Sequence, residues 1–414
     1  MYPDLSYLFH DLFGTELDNW LSIFKTFGLF LALALTAAGY VLKLELQRRE
    51  KEGTLKPLTI IEEHKTGVDW GSIAYNSFIG FVLAMKLPYI ISSFAEFQAD
   101  PAAVLFSSKG NLGFGFIGAL ALGGYLYYLE SKKEVKPGKT EKLLFPSQKA
   151  ADITIVAGIS GVVGAKLFSV LENLENFFRD PTGTLFSGSG LTIYGGLILG
   201  TIVVYRYIRK LGIPGGQMLD IGGMAILVGY GVGRMGCQFS GDGDWGIIAA
   251  AQPEWWFLPD WVWSYSYPNN VANSGELMEA CDPVRYKEYL SVRTMSVEQR
   301  CEAACGMRYC HEMVKSPVYP TPIYEIVISG ILFLGLWLLR KRVQIVGMLF
   351  CFYLIVQGIE RFWIETIRVN EKYNYFGFEW SQAQYISVGI TIAGIVGSIF
   401  LWNRHKKGLN PEKA

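Results

Sequence analysis

Apolar runs of about twenty residues recur along this chain, and that is the length an α-helix needs to cross a ~30 Å hydrocarbon core. Nine such runs can be read, at roughly 20–42, 70–94, 111–129, 152–172, 190–208, 217–238, 322–339, 345–366 and 381–402. Composition agrees, with 51% of residues hydrophobic and only 18% charged, less charge than a soluble chain of this length usually carries. The expected fold class is an all-α polytopic membrane protein of about nine transmembrane helices. Formal net charge is zero, so there is no broad basic field to hold nucleic acid. Residues 1–19 are acidic and lack a basic stretch ahead of the first run, so the first span is expected to be retained rather than cleaved as a signal peptide.

Charge in the connecting segments sets an orientation. Residues 43–65 carry Lys43, Arg48, Arg49, Lys51, Lys56 and Lys65, and residues 131–149 carry six lysines. Residues 206–210, 340–342 and the tail 404–413 are basic too, whereas 1–19, 95–110 and 173–189 are nearly free of Lys and Arg. The positive-inside rule then places the N-terminus outside and the C-terminus in the cytoplasm. Nine spans satisfy this parity, as seven would. The long segment 241–318 falls outside, with four of the six cysteines: Cys281, Cys301, Cys305 and Cys310. An oxidising compartment permits disulfides there, in three possible connectivities. The alternative is a metal site that includes His311, but spacings of four and five differ from a CxxC knuckle. Cys237 and Cys351 lie in or beside spans and are expected to be free thiols.

The chain divides into transmembrane residues 1–246, an extracytoplasmic insertion 247–318 that reads as a small cap, transmembrane residues 319–403, and a cytoplasmic tail 404–414. No internal repeat stands out. The lysine-rich 131–149 loop reads as a solvated connector that touches anionic headgroups. Pro320 and Pro322 mark the start of the seventh span, since proline suits a first helical turn.

Charges inside the spans carry the chemistry. In GVGRMGCQFSGDGDWG, residues 231–246, Arg234 ends a membrane-length apolar run that then breaks into glycines, Asp242, Asp244 and Trp245. An arginine placed centrally in a span costs ~2.5–3.5 kcal/mol even on forgiving insertion scales, so it should face a polar cavity or an anion. The following glycines end the helix and let backbone approach a ligand closely. The eighth span ends in QGIERFWIETIR, residues 357–368, where Gln357, Arg361, Glu365 and Arg368 fall at i, i+4, i+8 and i+11 on one helix face. Arg361 and Glu365 alone could be an ion pair closing a helix end. With Arg234 at the same membrane face, two arginines converge, and their planar forks suit a phosphate. Glu325 reads as a partner to one of them. Asp220 reads as a carboxylate complementing the dipole at the start of its own helix. Lys166 fits either a snorkelling lysine or a cavity lining. None of the four histidines (His10, His64, His311 and His405) lies in a span.

The order of these motifs resembles the prolipoprotein diacylglyceryl transferase family. GLTIYGGLILG (190–200) resembles its Gly-Gly helix start, and residues 231–246 resemble its Gly-Arg-x-Gly signature. YPTPIYE (319–325) resembles its HPxQLYE element, residues 357–368 its YGxxRFxxExxR element, and SQAQYIS (381–387) the polar start of its last helix. GVVGAKLF (161–168) fits an earlier helix. Several positions depart from the family pattern. Tyr194 and Tyr319 stand where the family has histidines, Pro322 for a glutamine, Gln357 for a tyrosine, Phe27-Gly28 for a tyrosine-glycine, and Cys237 for an asparagine whose role Gln238 could take. The turn before Trp245 is one residue longer, so Asp242 and Asp244 compete for one acidic position. The 70–129 pair and the insertion are additions to a seven-helix plan.

The resemblance implies transfer of the diacylglyceryl group of phosphatidylglycerol to the lipobox cysteine of a prolipoprotein, releasing glycerol phosphate, in the bacterial inner membrane. It implies catalytic roles for Arg234, Arg361, Glu365 and Tyr194. It implies lipid contacts from Arg234, Arg361, Gly236, Asp242, Asp244, Gly246, Tyr324 and Glu325. No metal, nucleotide or other cofactor is called for, because the lipid is itself the activated donor. Partners are the donor lipid, prolipoproteins and surrounding membrane lipids. Two other readings stand beside it: a transporter or channel for an anionic solute, and a scaffold that presents the insertion to a partner.

Overall fold

The computed structural model describes residues 1–64, 68–99, 101–107, 109–132, 138–179, 181–186, 192–290, 295–375 and 377–408. Among these, every apolar run folds as a long helix: α1 (Thr26–Lys51), α2 (Trp70–Ser92), α3 (Leu112–Ser131), α4 (Ala150–Glu172), α5 (Ile193–Lys210), α6 (Gly215–Ser240), α7 (Thr321–Leu339), α8 (Met348–Glu365) and α9 (Gln382–Lys406). Six of them, α1 to α4, α7 and α9, are long and apolar enough to cross a membrane. The other three carry Arg206, Arg209 and Lys210 in α5, Asp220 and Arg234 in α6, and Glu360, Arg361 and Glu365 in α8. The chain is a mostly helical, multi-pass membrane protein.

After a short helix at Leu5–Phe13, the first long helix starts at Thr26 rather than near 20, because Asn19 caps a separate 3₁₀ turn, Trp20–Ile23, through the Leu21 amide. It then runs past its apolar stretch to Lys51, where Arg48 pairs with Glu45 and Glu52 on either side.

Two compact units share the chain. The first comprises Met1–Thr54, Lys149–Thr154 and Tyr207–Ala414; the second comprises Leu55–Gln148 and Ile155–Arg206. In the first unit α6 is the hub, packed on α1, α7 and α8, with α9 behind α8. Its glycines permit this. A Cβ at Gly236 would lie 3.0 Å from Phe30 of α1, one at Gly231 2.5 Å from Ser329 of α7, and one at Gly223 3.1 Å from Tyr353 of α8. Close backbone approach through small residues is how helices associate where lipid removes the hydrophobic drive. Asp220 is buried and serves a different helix from the one expected. Its carboxylate accepts from the amides of Gly347 at 2.9 Å and Phe350 at 3.0 Å, and so caps α8 instead of complementing α6.

The insertion 247–318 closes around Cys281, Tyr286, Cys301, Ala304 and Cys310. Two short helices, Pro283–Leu290 and Val297–Cys305, and a strand pair, Glu276–Leu277 with His311–Glu312, frame it. Cys281 is bonded to Cys305 and Cys301 to Cys310; Cys237 and Cys351 are free and buried. The N-terminal segment joins this body, as the Arg308 amide donates to Asp18 at 3.1 Å and the Tyr309 amide to the Tyr7 hydroxyl at 3.3 Å.

The second unit overturns the expectation of no repeat. It holds two helical hairpins of one design, α2 with α3 and α4 with α5, each with two short helices at its turn. These are Phe94–Ala99 and Pro101–Phe106 in one hairpin, Leu174–Arg179 and Pro181–Phe186 in the other. Matching residues then emerge 80 positions apart: Lys86-Leu87 and Lys166-Leu167, Phe97 and Phe177, Asp100-Pro101 and Asp180-Pro181, Leu105-Phe106-Ser107 and Leu185-Phe186-Ser187. Each hairpin crosses glycine to glycine. A Cβ at Gly118 would meet the Gly80 carbonyl at 2.4 Å, and one at Gly195 the Gly164 carbonyl at 2.4 Å. The duplication covers one hairpin, not half of a membrane domain. A paired strand, β1 (Leu58–His64) with β2 (Gly138–Leu144), spans the segments flanking the first hairpin. Within the connecting loops, residues 65–67, 100, 108, 133–137, 180 and 187–191 lie outside the described set, including Gly190 and Leu191 of the Gly-Gly motif and part of the lysine-rich loop.

Candidate active site

Three chain segments of the first unit bring charge to one place. From α6 come Tyr230, Arg234 and Cys237, spaced i, i+4 and i+7 and therefore on one face. The helix stops at Gly241, which takes a left-handed φ of 66° and donates its amide to the Cys237 carbonyl. The chain then turns back, with Gly243 at φ 94°, so that Asp244 returns to Arg234. Asp242 shapes this turn by accepting the Asp244 amide at 3.2 Å. Gly246 is pinned between two segments. Its amide donates to the Tyr319 carbonyl at 2.8 Å, and any Cβ there would lie 2.5 Å from the Ile367 carbonyl.

From α7 comes Glu325, fully buried one turn inside the proline-led start. It lies between both arginines, 3.0 Å from Arg234 Nε and 2.9 Å from Arg361 Nη1, and accepts the Tyr230 hydroxyl at 2.6 Å. From α8 come Arg361 and Glu365, paired at 3.0 Å one turn apart. Just past α8, Arg368 reaches Asp244 at 2.6 Å and lies 3.8 Å from Glu325. Three arginines thus interlock with Asp244, Glu325 and Glu365. Buried charge is tolerable only when paired and hydrogen-bonded in this way. Asp244 and Arg361 are the most open members, with side chains 35% and 23% exposed.

The two aspartates differ electrostatically. Burial pushes the Asp242 carboxyl above its ordinary value. Burial acts on Asp244 as well, yet Arg234 and Arg368 outweigh it and hold that carboxyl below the usual range.

Several expected residues go elsewhere. The Tyr324 hydroxyl donates to the Val262 carbonyl at 2.7 Å and tethers the insertion. Gly236 faces α1, and Gln238 accepts the Tyr267 hydroxyl at 2.7 Å rather than entering the cluster. Tyr194 belongs to the second unit, at the start of α5, and is partly exposed. Gln357 donates to Glu360 at 2.7 Å. Arg368 was absent from the expected site residues although its place on the Arg361 and Glu365 face was already legible. Tyr230, one turn before Arg234, carried no signal of its own in an apolar run.

A family model described as prolipoprotein diacylglyceryl transferase matches residues 121–400. The chain belongs to the prolipoprotein diacylglyceryl transferase family. Relatives named phosphatidylglycerol–prolipoprotein diacylglyceryl transferase include that of Shouchella clausii, 24% identical over 77% of this chain and 98% of the relative. That of Dehalococcoides mccartyi is 24% identical over 75% and 96%, and that of Clostridium tetani 26% identical over 73% and 98%. The family match opens inside α3, so most of the first hairpin precedes it. The interlocked arginines lie within the stretch that the transferase family shares.

Proposed function

We propose that this chain transfers the diacylglyceryl group of phosphatidylglycerol to the lipobox cysteine thiol of prolipoproteins, the first step of bacterial lipoprotein maturation. In this reaction a C–S bond forms at the glyceryl carbon as the C–O bond to phosphate breaks. The electron pair leaves on the phosphate oxygen of glycerol phosphate, and the thiol proton passes to a base. The observation that carries the reading is Glu325 buried between Arg234 and Arg361, which come from separate helices. Glu325 and Glu365 hold the two guanidinium groups from the protein side, and each guanidinium has five donors, so outward N–H groups remain for a phosphate. Preorganised charge of this kind stabilises the oxyanion that develops as the bond breaks.

In this reading Arg234 and Arg361 hold the lipid phosphate, Arg368 fixes Asp244, and Glu365 orients Arg361. Asp242 is the better proton acceptor, because its raised affinity lies closer to the thiol's while Asp244 is held anionic by two arginines. Nine spans, with the N-terminus outside, the C-terminus in the cytoplasm and the 247–318 cap over the outer leaflet of the inner membrane, suit a reaction on an exported substrate. The donor, a lipobox peptide and surrounding lipid are then its partners. Purified protein in detergent with phosphatidylglycerol labelled in its acyl chains should label a lipobox peptide. Solute flux in liposomes without peptide labelling would favour the transporter reading instead.

A further inference from the structure

The stretch between the site turn and α7 carries an apolar surface that the proposed reaction does not use. Residues 255–263 read WWFLPDWVW. Hydrogen bonds fasten this stretch to the start of α7. The Ala250 amide donates to the Tyr319 hydroxyl at 3.1 Å, the Trp263 indole to the Ala250 carbonyl at 2.8 Å, and the Tyr324 hydroxyl to the Val262 carbonyl. The Trp263 ring packs edge-on with both Trp256 and Tyr319, at centroid distances of 4.9 and 5.6 Å. The Gln252 side-chain amide donates to Asp260 at 3.0 Å and closes the loop. This anchorage uses Trp256 and Trp263 and leaves Trp255, Phe257, Leu258 and Trp261 exposed. Phe257, at 85%, is the most exposed large apolar side chain among the described residues. Apolar groups clustered at a surface in this way mark a contact surface.

Position and charge indicate what covers it. α7 begins at Thr321 and is long and apolar enough to cross a membrane. Its exposed side chains Val327, Ile331, Leu334 and Leu338 share one face with Tyr324, at i+3, i+7, i+10 and i+14. On a membrane span an exposed apolar stripe of this kind meets acyl chains. Tyr324 therefore ties the loop to the Thr321 end of the lipid-facing stripe, at the depth where the span meets water. Aromatic rings gather at that depth, Trp above all, because one part is apolar and another donates a hydrogen bond. No Lys or Arg lies between Arg234 and Arg285, and Glu254 and Asp260 border Trp255–Pro259, so attraction to anionic headgroups plays no part. Tyr319 also accepts the Gly246 amide on its carbonyl, so the aromatic edge and the turn that carries Asp244 share one anchor.

We propose that Trp255, Phe257, Leu258 and Trp261 insert into the lipid interface at the Thr321 end of α7 and hold the insertion against the membrane by apolar contact alone. The proposed orientation decides only that this is the outer leaflet. The contact itself depends on neither that orientation nor the transfer reaction.

The test uses the full-length protein in lipid nanodiscs, where both membrane faces are open to solutes. Phe257→Cys carries an environment-sensitive fluorophore, and Val284→Cys, exposed on the insertion's helix Pro283–Leu290, is the control. The two free native cysteines are buried, and wild-type labelling gives the background. Lipid bearing a nitroxide near its headgroup should quench the probe at 257 several-fold more than at 284, and aqueous acrylamide should do the reverse. Neither result should change when salt is raised or anionic lipid is replaced by zwitterionic lipid, since apolar insertion is not screened. Trp261→Cys serves as the labelled site if Phe257→Cys falls short of the wild-type thermal midpoint. Equal acrylamide quenching at 257 and 284 would overturn the proposal, as would nitroxide quenching that disappears at high salt. Protection from acrylamide without nitroxide quenching would mark a protein neighbour, such as a second copy, and overturn it too. So would protection that arises only when a lipobox peptide is added, the signature of a substrate-docking surface.

Discussion

Arg234 and Arg361 are held by one buried carboxylate, and this fixes what their substitution should do. Replacing either by Ala removes a donor to the leaving phosphate and should lower turnover by ~10²–10³, measured as labelled peptide per unit time. Replacement by Lys should rescue only in part, since a point charge cannot supply a planar fork. Glu365→Gln should cost less, because Glu365 orients Arg361 from the protein side. Glu325→Ala strips the shared partner from both arginines and should destabilise the fold by about 3–5 kcal/mol, seen as a lower thermal midpoint. The aspartates should part company with pH. Asp244 has its affinity for protons lowered in the fold, so its contribution is present above the unfolded value and lost as pH falls through the folded one. Asp244→Asn should therefore lower the midpoint at neutral pH, and the gap should close below about pH 4. Asp242 is raised, so the fold disfavours its ionised form and loses stability as pH rises past the unfolded value. Asp242→Asn should match or raise the midpoint at neutral pH while losing transfer.

At the scale of elements, the sequence disclosed what repeats with helical period. The nine apolar runs each became a helix, and the i, i+4 spacing of Arg361 and Glu365 put them on one face as expected, with Arg368, at i+7 and just past the helix end, reaching the same cluster. Contacts between distant segments were less legible. Asp220 caps α8, which begins 128 residues later, and no local pattern announces such a cap. Which of Asp242 and Asp244 meets the arginines depended on the path of a glycine turn, set by positive φ at Gly241 and Gly243. The hairpin repeat was masked because apolar spans resemble one another, and only the short helices at the turns made the register visible. The insertion's disulfides, Cys281–Cys305 and Cys301–Cys310, close small loops on a small core. Each should contribute about 2–4 kcal/mol to it. Non-reducing mass spectrometry should show a mass four hydrogens below the all-thiol form, and reduction should raise proteolysis within 247–318 before the helices unfold.

For the whole molecule, an inner-membrane orientation with the arginine cluster outside predicts which loops can be labelled. A cysteine introduced in the 131–149 loop should resist impermeant thiol reagents in intact cells, while one in the insertion should react. Labelling of the 131–149 loop from outside would reverse the topology and put the site on the wrong face for an exported substrate. The family match, the buried arginine pair and the polytopic helical fold converge on one activity. The most direct measurement of it is transfer of labelled diacylglyceryl from phosphatidylglycerol to a lipobox peptide, with wild-type and Arg234→Ala proteins matched for folding. The wild type should label the peptide cysteine and release glycerol phosphate in equal amount, and the variant should fall by ~10²–10³. Peptide labelling by Arg234→Ala at the wild-type rate would contradict the account.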